Sequence, residues 1–191
     1  MNKAFKLIRI LTIAPICAIG LIIITFLQNP SMYSSPLQLL YSLVFLGVFP
    51  VLAYPIQHII PRYKNEGRNG QRELAMIFAF AGYVLGGIYN FAFFSSSELW
   101  MIYLSYIICG MLIFVFNKAF SWKVSGHACG VAAPCIMLIC FRLPYPAIFY
   151  ALLLVLVFIS SIRLQRHTIM QLAGGVIIAC IVCVTLKFIL L

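Results

Sequence analysis

The chain has 191 residues, of which 64% are hydrophobic and 8% charged, with 13 Lys and Arg against three Asp and Glu. A mean hydropathy of +1.11 is far too apolar for a soluble domain, and the short alternating segments of an outer-membrane barrel are missing. The formal charge of +10 lies in short clusters between apolar segments, which favours anionic phospholipids as partners and argues against nucleic acid. Composition therefore indicates a helical membrane protein.

Seven apolar runs predict transmembrane helices, since a spanning helix needs about 20 mostly apolar residues. The first run follows Lys3, Lys6 and Arg9 and resembles a signal peptide, but it lacks a convincing small-residue cleavage site, so we expect a retained span. The fifth and sixth runs are the shortest and need flanking residues to cross a membrane. The runs cover residues 8–27, 37–59, 74–95, 99–116, 127–141, 146–162 and 169–190.

The polar breaks between the runs predict an orientation. Residues 61–73 are interpreted as a solvated cytoplasmic connector and residues 95–98 as a serine-containing turn. With a cytoplasmic amino terminus, every basic residue except Arg142 and Lys187 lies on the cytoplasmic side, as the positive-inside rule requires. We expect an integral protein of a bacterial inner membrane, with its amino terminus and its site facing the cytoplasm.

Proline and cysteine residues inside the runs have structural interpretations. Pro50, Pro55 and Pro134 are expected to kink their spans, because neighbouring helices can satisfy the carbonyls that proline leaves without partners. The seven cysteines all lie in apolar runs and are expected to be small buried side chains. Cys180 and Cys183 have C-x-x-C spacing but no nearby His or acidic ligand, so no metal site is predicted.

Two clusters of basic and histidine residues interrupt the apolar pattern, one before the fifth run and one before the last. The amino terminus of a helix offers unpaired N–H groups and a positive dipole end to an anion, and the basic side chains add full charges there. The first cluster contains Lys118, Lys123, Ser125, Gly126 and His127, and the second contains Arg163, Arg166, His167 and Gln171.

The two clusters are expected to meet around one ligand. Two crossings separate them, so the chain returns to the same side of the membrane between His127 and His167. If the fifth helix begins near Ser125, His127 lies in its first turn at the interface, within reach of a phosphate ester. Arg163 and Gln171 each lie four residues from His167, which is the spacing of neighbours on a helix face.

Structural interpretations of the same residues stay open. Thr168 and Gln171 have the spacing of a capping box, in which each satisfies a backbone donor of the last helix. Arg163 and Arg166 can be interfacial anchors whose charges reach the headgroups. His58, at the end of the second run, has no comparable basic setting and is interpreted as structural.

The clusters resemble two motifs of the type 2 phosphatidic acid phosphatases, membrane-embedded lipid phosphatases that share a helical core and an active-site pattern with vanadium haloperoxidases. Ser125-Gly126-His127 is similar to their Pro-Ser-Gly-His motif, with Val124 in place of the proline. His167 is similar to the histidine of their third motif, Ser-Arg, five residues, His, three residues, Asp. The sequence Leu172-Ala173-Gly174-Gly175 is similar to the small-residue stretch that commonly follows it.

The chain also departs from the family pattern. Ser160 keeps the serine of the third motif, but Ser161 replaces its arginine and Gln171 replaces its aspartate, and the chain contains no Asp. No Lys-x6-Arg-Pro motif is present, and Lys118 and Lys123 are approximate substitutes for it. The third motif looks more like a bacterial branch of the family that reads Arg-His-Thr-x-x-Gln.

The resemblance implies a transmembrane helix and connector over residues 1–36 and a six-helix phosphatase-like domain over residues 37–191. It implies hydrolysis of a lipid phosphate or diphosphate monoester, of the phosphatidic acid or isoprenoid diphosphate class, through a phosphohistidine and without a metal or cofactor. His167 would be the nucleophile, His127 the general acid, and Gln171 the acceptor that fixes the His167 tautomer. The phosphate-binding residues would be Lys118, Lys123, Ser125, Gly126, Arg163 and Arg166.

Two other functions compete with this one. Ser161, Gln171 and the incomplete first motif also fit a catalytically impaired phospholipid-binding or structural membrane protein. A small transporter is the third hypothesis, motivated by the proline and glycine interruptions of the spans. It fits less well because transporter sites usually lie near the membrane midplane, whereas these polar groups gather at one interface.

Overall fold

The computed structural model describes residues 2–92, 96–120 and 122–191, in which the regular elements are helical. The predicted all-α polytopic membrane bundle is confirmed, because α3, α5, α6, α8 and α9 are each long and apolar enough to cross a membrane. A short 3-10 helix, Pro30–Met32, precedes α3. The helices are α1 Asn2–Leu11, α2 Ala14–Gln28, α3 Pro36–Ile56, α4 Pro61–Lys64, α5 Gly67–Ala92, α6 Ser97–Ala119, α7 Gly126–Cys140, α8 Pro144–Arg163 and α9 Ile169–Leu190.

The first predicted span is a bent pair of helices. The axes of α1 and α2 differ by 52° across the break at Thr12 and Ile13. Pro15 explains the break, because it has no amide hydrogen for the carbonyl of Leu11 and its ring blocks a continuous helix there, whereas it suits the first turn of α2. Counting the pair as one span gives up to six spans, and α7, with 15 residues, is shorter than a full crossing.

The prolines of the second span coincide with irregular helical geometry. A π-helical turn, Val44–Val48, interrupts α3 just before Pro50, and the hydrogen-bonding pattern shifts again near Pro55. Pro134, in contrast, lies inside α7 and that helix continues through it. Proline therefore changes the local helical pattern in α3 but does not break α7.

The predicted connector at residues 61–73 is mostly helical. It contains α4 and, after Gly67 in the left-handed conformation (φ 55°), the first two turns of α5. Glycine suits this position because it carries no Cβ. As a result Arg72 is held on a helix at the end of the bundle where both histidine clusters lie. Of the predicted turn at 95–98, Ser95 lies outside the described residues, and Ser96 caps α6 by accepting the N–H of Leu99.

The α7 helix lies at the centre of the bundle and packs against α2, α8 and α9. Glycines permit its closest contacts, as small residues commonly do between membrane helices. Gly130 of α7 lies against Ala14 of α2, and Gly175 of α9 lies against the carbonyl oxygen of Ser125. A Cβ at position 175 would overlap that oxygen and lie 3.1 Å from the nitrogen of Cys129. The start of α7 and the first turns of α9 are therefore in direct backbone contact.

We predict that Gly175→Ala lowers the free energy of unfolding by about 1–3 kcal/mol, the usual cost of overpacking. Both neighbours of the added methyl group are backbone atoms, which cannot move aside as a side chain would. The measurement is thermal unfolding in detergent micelles.

Gly110→Ala is the matched control, since its Cβ meets no atom within 4 Å and Ala favours a helix by about 1 kcal/mol over Gly. Equal melting temperatures for the two variants would contradict the close contact.

Candidate functional site

The start of α7 is fixed to the start of α9 by Ser125. Its hydroxyl caps α7 by accepting the N–H of Ala128 at 3.3 Å, and its own N–H donates to the carbonyl oxygen of Gln171 at 2.9 Å. Ser125 is fully buried. The Ser125 N–H therefore already has an acceptor and is not free for a phosphate oxygen in this structure. Gly126, the first residue of α7, is exposed at the helix terminus.

Gln171 serves as a helix cap and as the partner of His167 at once. Its Oε1 accepts the N–H of Thr168 at 3.3 Å, and its own N–H donates to the Thr168 hydroxyl, which completes a capping box. The same Oε1 lies 3.1 Å from Nδ1 of His167. An amide oxygen carries no hydrogen, so Nδ1 must donate. In the neutral ring, Nε2 of His167 is then left with its lone pair.

His127 is held by the break between α1 and α2. Its Nε2 lies 2.9 Å from the hydroxyl oxygen of Thr12. That hydroxyl donates its one hydrogen to the carbonyl of Ile8 at 2.7 Å, so it must accept from His127. The neutral His127 ring therefore carries its hydrogen on Nε2, and a further proton would enter at Nδ1.

Arg9 reaches from α1 to the end of α8, where its Nη1 donates to the buried hydroxyl of Ser161 at 2.6 Å. A Schellman motif terminates α8 at this point. The N–H of Arg166 donates to the carbonyl of Ser161 at 2.9 Å, and Gln165 adopts the left-handed conformation (φ 50°). This turn directs the chain from α8 toward His167.

Three arginines and both histidines interact electrostatically. The charges of Arg166 and Arg72 act on Arg9, and Arg9 and His167 act on His127. Burial lowers the pKa of His167 from its ordinary value, and the charges of Arg72 and Arg9 lower it further. Hydrogen bonds to Gln171 and to the backbone of Lys123 oppose this change. The balance favours a neutral His167 ring at pH 7.

Most, but not all, of the site residues predicted from the sequence lie close together in the structure. His127, His167 and Gln171 converge, and the backbone of Lys123 adjoins the His167 ring while its side chain is exposed. Arg166 is close enough for its charge to act on Arg9. Lys118 and Arg163 are exposed at the ends of α6 and α8, and neither has a polar partner among the described residues.

Four residues at the site were not predicted from the sequence: Arg9, Thr12, Arg72 and Ser161. The positive-inside rule accounts for Arg9 and Arg72 only as interfacial cations, and the motif comparison treats Ser161 only as a departure. The break at Pro15 is the one sequence signal that could have drawn attention to Thr12. Nothing in local spacing relates Arg9 to Ser161, which are 152 residues apart.

Within the described ranges, no Asp or Glu side chain forms a salt bridge with Arg9, Arg72 or Arg166. Glu73 pairs with Arg62 at 3.6 Å, and both side chains are largely exposed. Glu98 lies in the first turn of α6, at the opposite end of the bundle. No cluster of three His, Cys or acidic residues in the described ranges is arranged to hold a metal ion. A cationic site without a carboxylate is suited to an anionic ligand.

No family model, curated protein or solved structure matches this chain. The resemblance to the lipid phosphatases therefore rests on the short sequence motifs alone.

We predict that His167 titrates below the ordinary histidine range and that Gln171 controls its pKa. Gln171→Met removes the acceptor and should lower the pKa, whereas Gln171→Glu keeps the length and adds a charge that should raise it. Arg72→Gln should raise it by removing a positive charge. Nuclear magnetic resonance titration of labelled histidines in micelles measures these shifts.

The lowered pKa of His167 also makes the stability of the protein depend on pH. Because the folded state binds this proton less readily than the unfolded chain, stability should fall as pH drops from the unfolded pKa to the lower folded pKa. An unchanged His167 pKa in Gln171→Met would contradict the hydrogen bond.

Proposed function

We propose that the protein is an integral membrane lipid phosphatase that hydrolyses a phosphate or diphosphate monoester through a phosphohistidine. The observation that carries the proposal is the convergence of His127 and His167 among arginines, with Gln171 holding the Nδ1 hydrogen of His167. In the neutral ring this hydrogen bond leaves the lone pair on Nε2 of His167, and the charge of His167 acts on the second imidazole, His127. The resemblance of both clusters to phosphatase motifs supports the same function.

In the first step, Nε2 of neutral His167 attacks phosphorus and the bond from phosphorus to the leaving oxygen breaks. That oxygen belongs to the lipid alcohol, or to a lipid monophosphate when the substrate is a diphosphate. It takes a proton from the His127 imidazolium. Because Thr12 accepts the Nε2 hydrogen of His127, the transferred proton comes from Nδ1.

In the second step, water attacks the phosphohistidine. The bond between phosphorus and Nε2 of His167 breaks, orthophosphate leaves, and the proton lost by water returns His127 to the imidazolium. Burial and the charge of Arg9 disfavour protonation of His127, and the negative phosphate compensates for that charge. Substrate binding and activation of the acid are thereby coupled.

Charge stabilisation on the phosphoryl group is expected to be the largest contribution to such a reaction. Of the phosphate-binding groups predicted from the sequence, we propose that the exposed amino terminus of α7 at Gly126 and the exposed side chains of Lys123 and Arg166 contribute to it. The site lies where the ends of five helices meet, next to exposed apolar side chains such as Ile169 and Met170. A lipid can thus present its headgroup to the site while its chains stay in the membrane.

A phospholipid-binding protein without turnover is the second candidate, and the neutral side chain of Gln171 favours it. An amide fixes the tautomer of His167 but does not stabilise positive charge on the ring as a carboxylate does. In the serine-protease triad, replacing the carboxylate by an amide lowers the rate by about 10⁴-fold. A slow enzyme and a binder differ in whether His167 becomes phosphorylated.

We predict that purified protein in micelles releases phosphate from one or more lipids of a panel containing phosphatidic acid and isoprenoid diphosphates. His167→Ala should reduce the rate on the order of 10³-fold or more, since the nucleophile cannot be replaced by its neighbours. His58→Ala is the matched control, because His58 is exposed at the end of α3 and should leave the rate unchanged.

Acid-labile phosphate on His167 during turnover would identify the intermediate. Binding of the same lipids without phosphate release, and without that modification, would instead establish the noncatalytic function. Equal release by wild type and His167→Ala would overturn the phosphatase mechanism.

We also propose that the site faces the cytoplasm of a bacterial cell, since the basic residues gather at its end of the bundle. A cysteine at Lys64 should then be shielded from a membrane-impermeant maleimide in intact inner-membrane vesicles of cytoplasm-inside orientation and react after permeabilisation. Tyr145, at the other end of the bundle, is 85% exposed. Tyr145→Cys should therefore react with the maleimide in the same intact vesicles, without permeabilisation. The opposite labelling pattern would place the site outside.

A further inference from the structure

Arg9 holds an unusual position for an arginine of an amino-terminal helix. α1 carries Lys3, Lys6 and Arg9 at intervals of three residues, which places them on neighbouring positions of one side. The two lysines are exposed, whereas Arg9 is half-buried and donates to the buried hydroxyl of Ser161. One turn further along the chain, Thr12 contacts His127. α1 and the break that follows it therefore reach the site through two side chains.

A purely structural role leaves most of the guanidinium unused. It has five N–H donors, and the described residues provide one recorded acceptor, the neutral hydroxyl of Ser161. The nearby charges of Arg166 and Arg72 repel it, and it acts on both imidazoles. A partly desolvated cation in such surroundings is stabilised by an anion that accepts several of its hydrogen bonds.

We propose that Arg9 is a phosphate-binding residue of the site, delivered by α1 and held in place by Ser161. The inference rests on the proposed function of the same site and specifies which guanidinium holds the phosphoryl group. A planar guanidinium donates two parallel hydrogen bonds to phosphate oxygens. That of Arg9 contacts Ser161, its charge acts on both imidazoles, and Thr12, three residues further on, contacts His127. α1 is then part of the binding site as well as a membrane-anchoring element.

The test compares binding of inorganic phosphate to wild type, Arg9→Gln and Lys6→Gln in detergent micelles, by calorimetry and by the shift of the His167 resonance. Arg9→Gln should weaken binding by about 10–100-fold, the usual effect of losing a charged hydrogen-bonding partner. Lys6→Gln removes the same charge from an exposed position of the same helix and should change affinity less than about 2-fold, because exposed charges contribute little.

Equal phosphate affinity for wild type and Arg9→Gln would overturn the proposal, as would the absence of phosphate binding by wild type. If Arg9→Gln does not fold, phenylglyoxal modification of the wild-type protein decides. Saturating phosphate should slow modification of Arg9 and leave that of Arg62 unchanged, and equal rates at Arg9 with and without phosphate would refute the role.

This binding test does not depend on turnover. Loss of phosphate binding in Arg9→Gln, together with no phosphate release from any lipid by wild type, would reject the phosphatase function and retain the role of Arg9. Lipid hydrolysis that is unaffected by Arg9→Gln would retain the phosphatase function and reject the role of Arg9.

Discussion

The direct contact between the first turns of α7 and α9 is the constraint on which the candidate site depends. Gly175 presents no Cβ to the carbonyl of Ser125, and the N–H of Ser125 can therefore reach the carbonyl of Gln171. This pairing removes one of the orphan donors at the start of α7. It also brings His127, two residues after Ser125, toward His167, four residues before Gln171. Backbone packing, rather than attraction between side chains, brings the two imidazoles together, since their charged forms would repel.

The contact between α7 and α9 places His167 among arginines without a carboxylate to balance their charge. Burial and two arginines favour a neutral His167, while its hydrogen bonds to Gln171 and Lys123 favour the proton. A carboxylate at position 171 would favour the protonated His167 ring more strongly and would partly neutralise the charges of the arginines. The amide leaves the cationic surroundings uncompensated, so an anionic ligand gains more from entering. An amide at position 171 therefore leaves the surroundings of His167 more favourable for an anion than a carboxylate would.

Much of the fold was predictable from the sequence because its cause is local. Long apolar runs predict α5, α6, α8 and α9, and the spacing of Thr168 and Gln171 predicts the cap that the structure contains. The break in the first run follows from Pro15, a signal that the prediction of one continuous span does not use. The polarity of residues 67–73 gave no sign of a helix in the sequence. They are helical because they continue the helix of the apolar span that follows. His127 and His167 could be paired because the consecutive helices α7 and α8 return the chain to the end of the bundle at which α7 begins.

The contributions of Arg9 and Arg72 depended on tertiary packing and had no local signal. Both were visible as basic residues at the correct end, but the positive-inside rule assigns that end without distinguishing an anchor from a ligand-binding residue. The partners of these cations differ: Arg62 has Glu73, whereas Arg9 has only the neutral Ser161 among the described residues. The guanidinium of Arg9 in α1 donates to the hydroxyl of Ser161, which is 152 residues away in the chain. The sequence around Ser161 therefore does not show which cation lies beside it, because that cation comes from a distant helix.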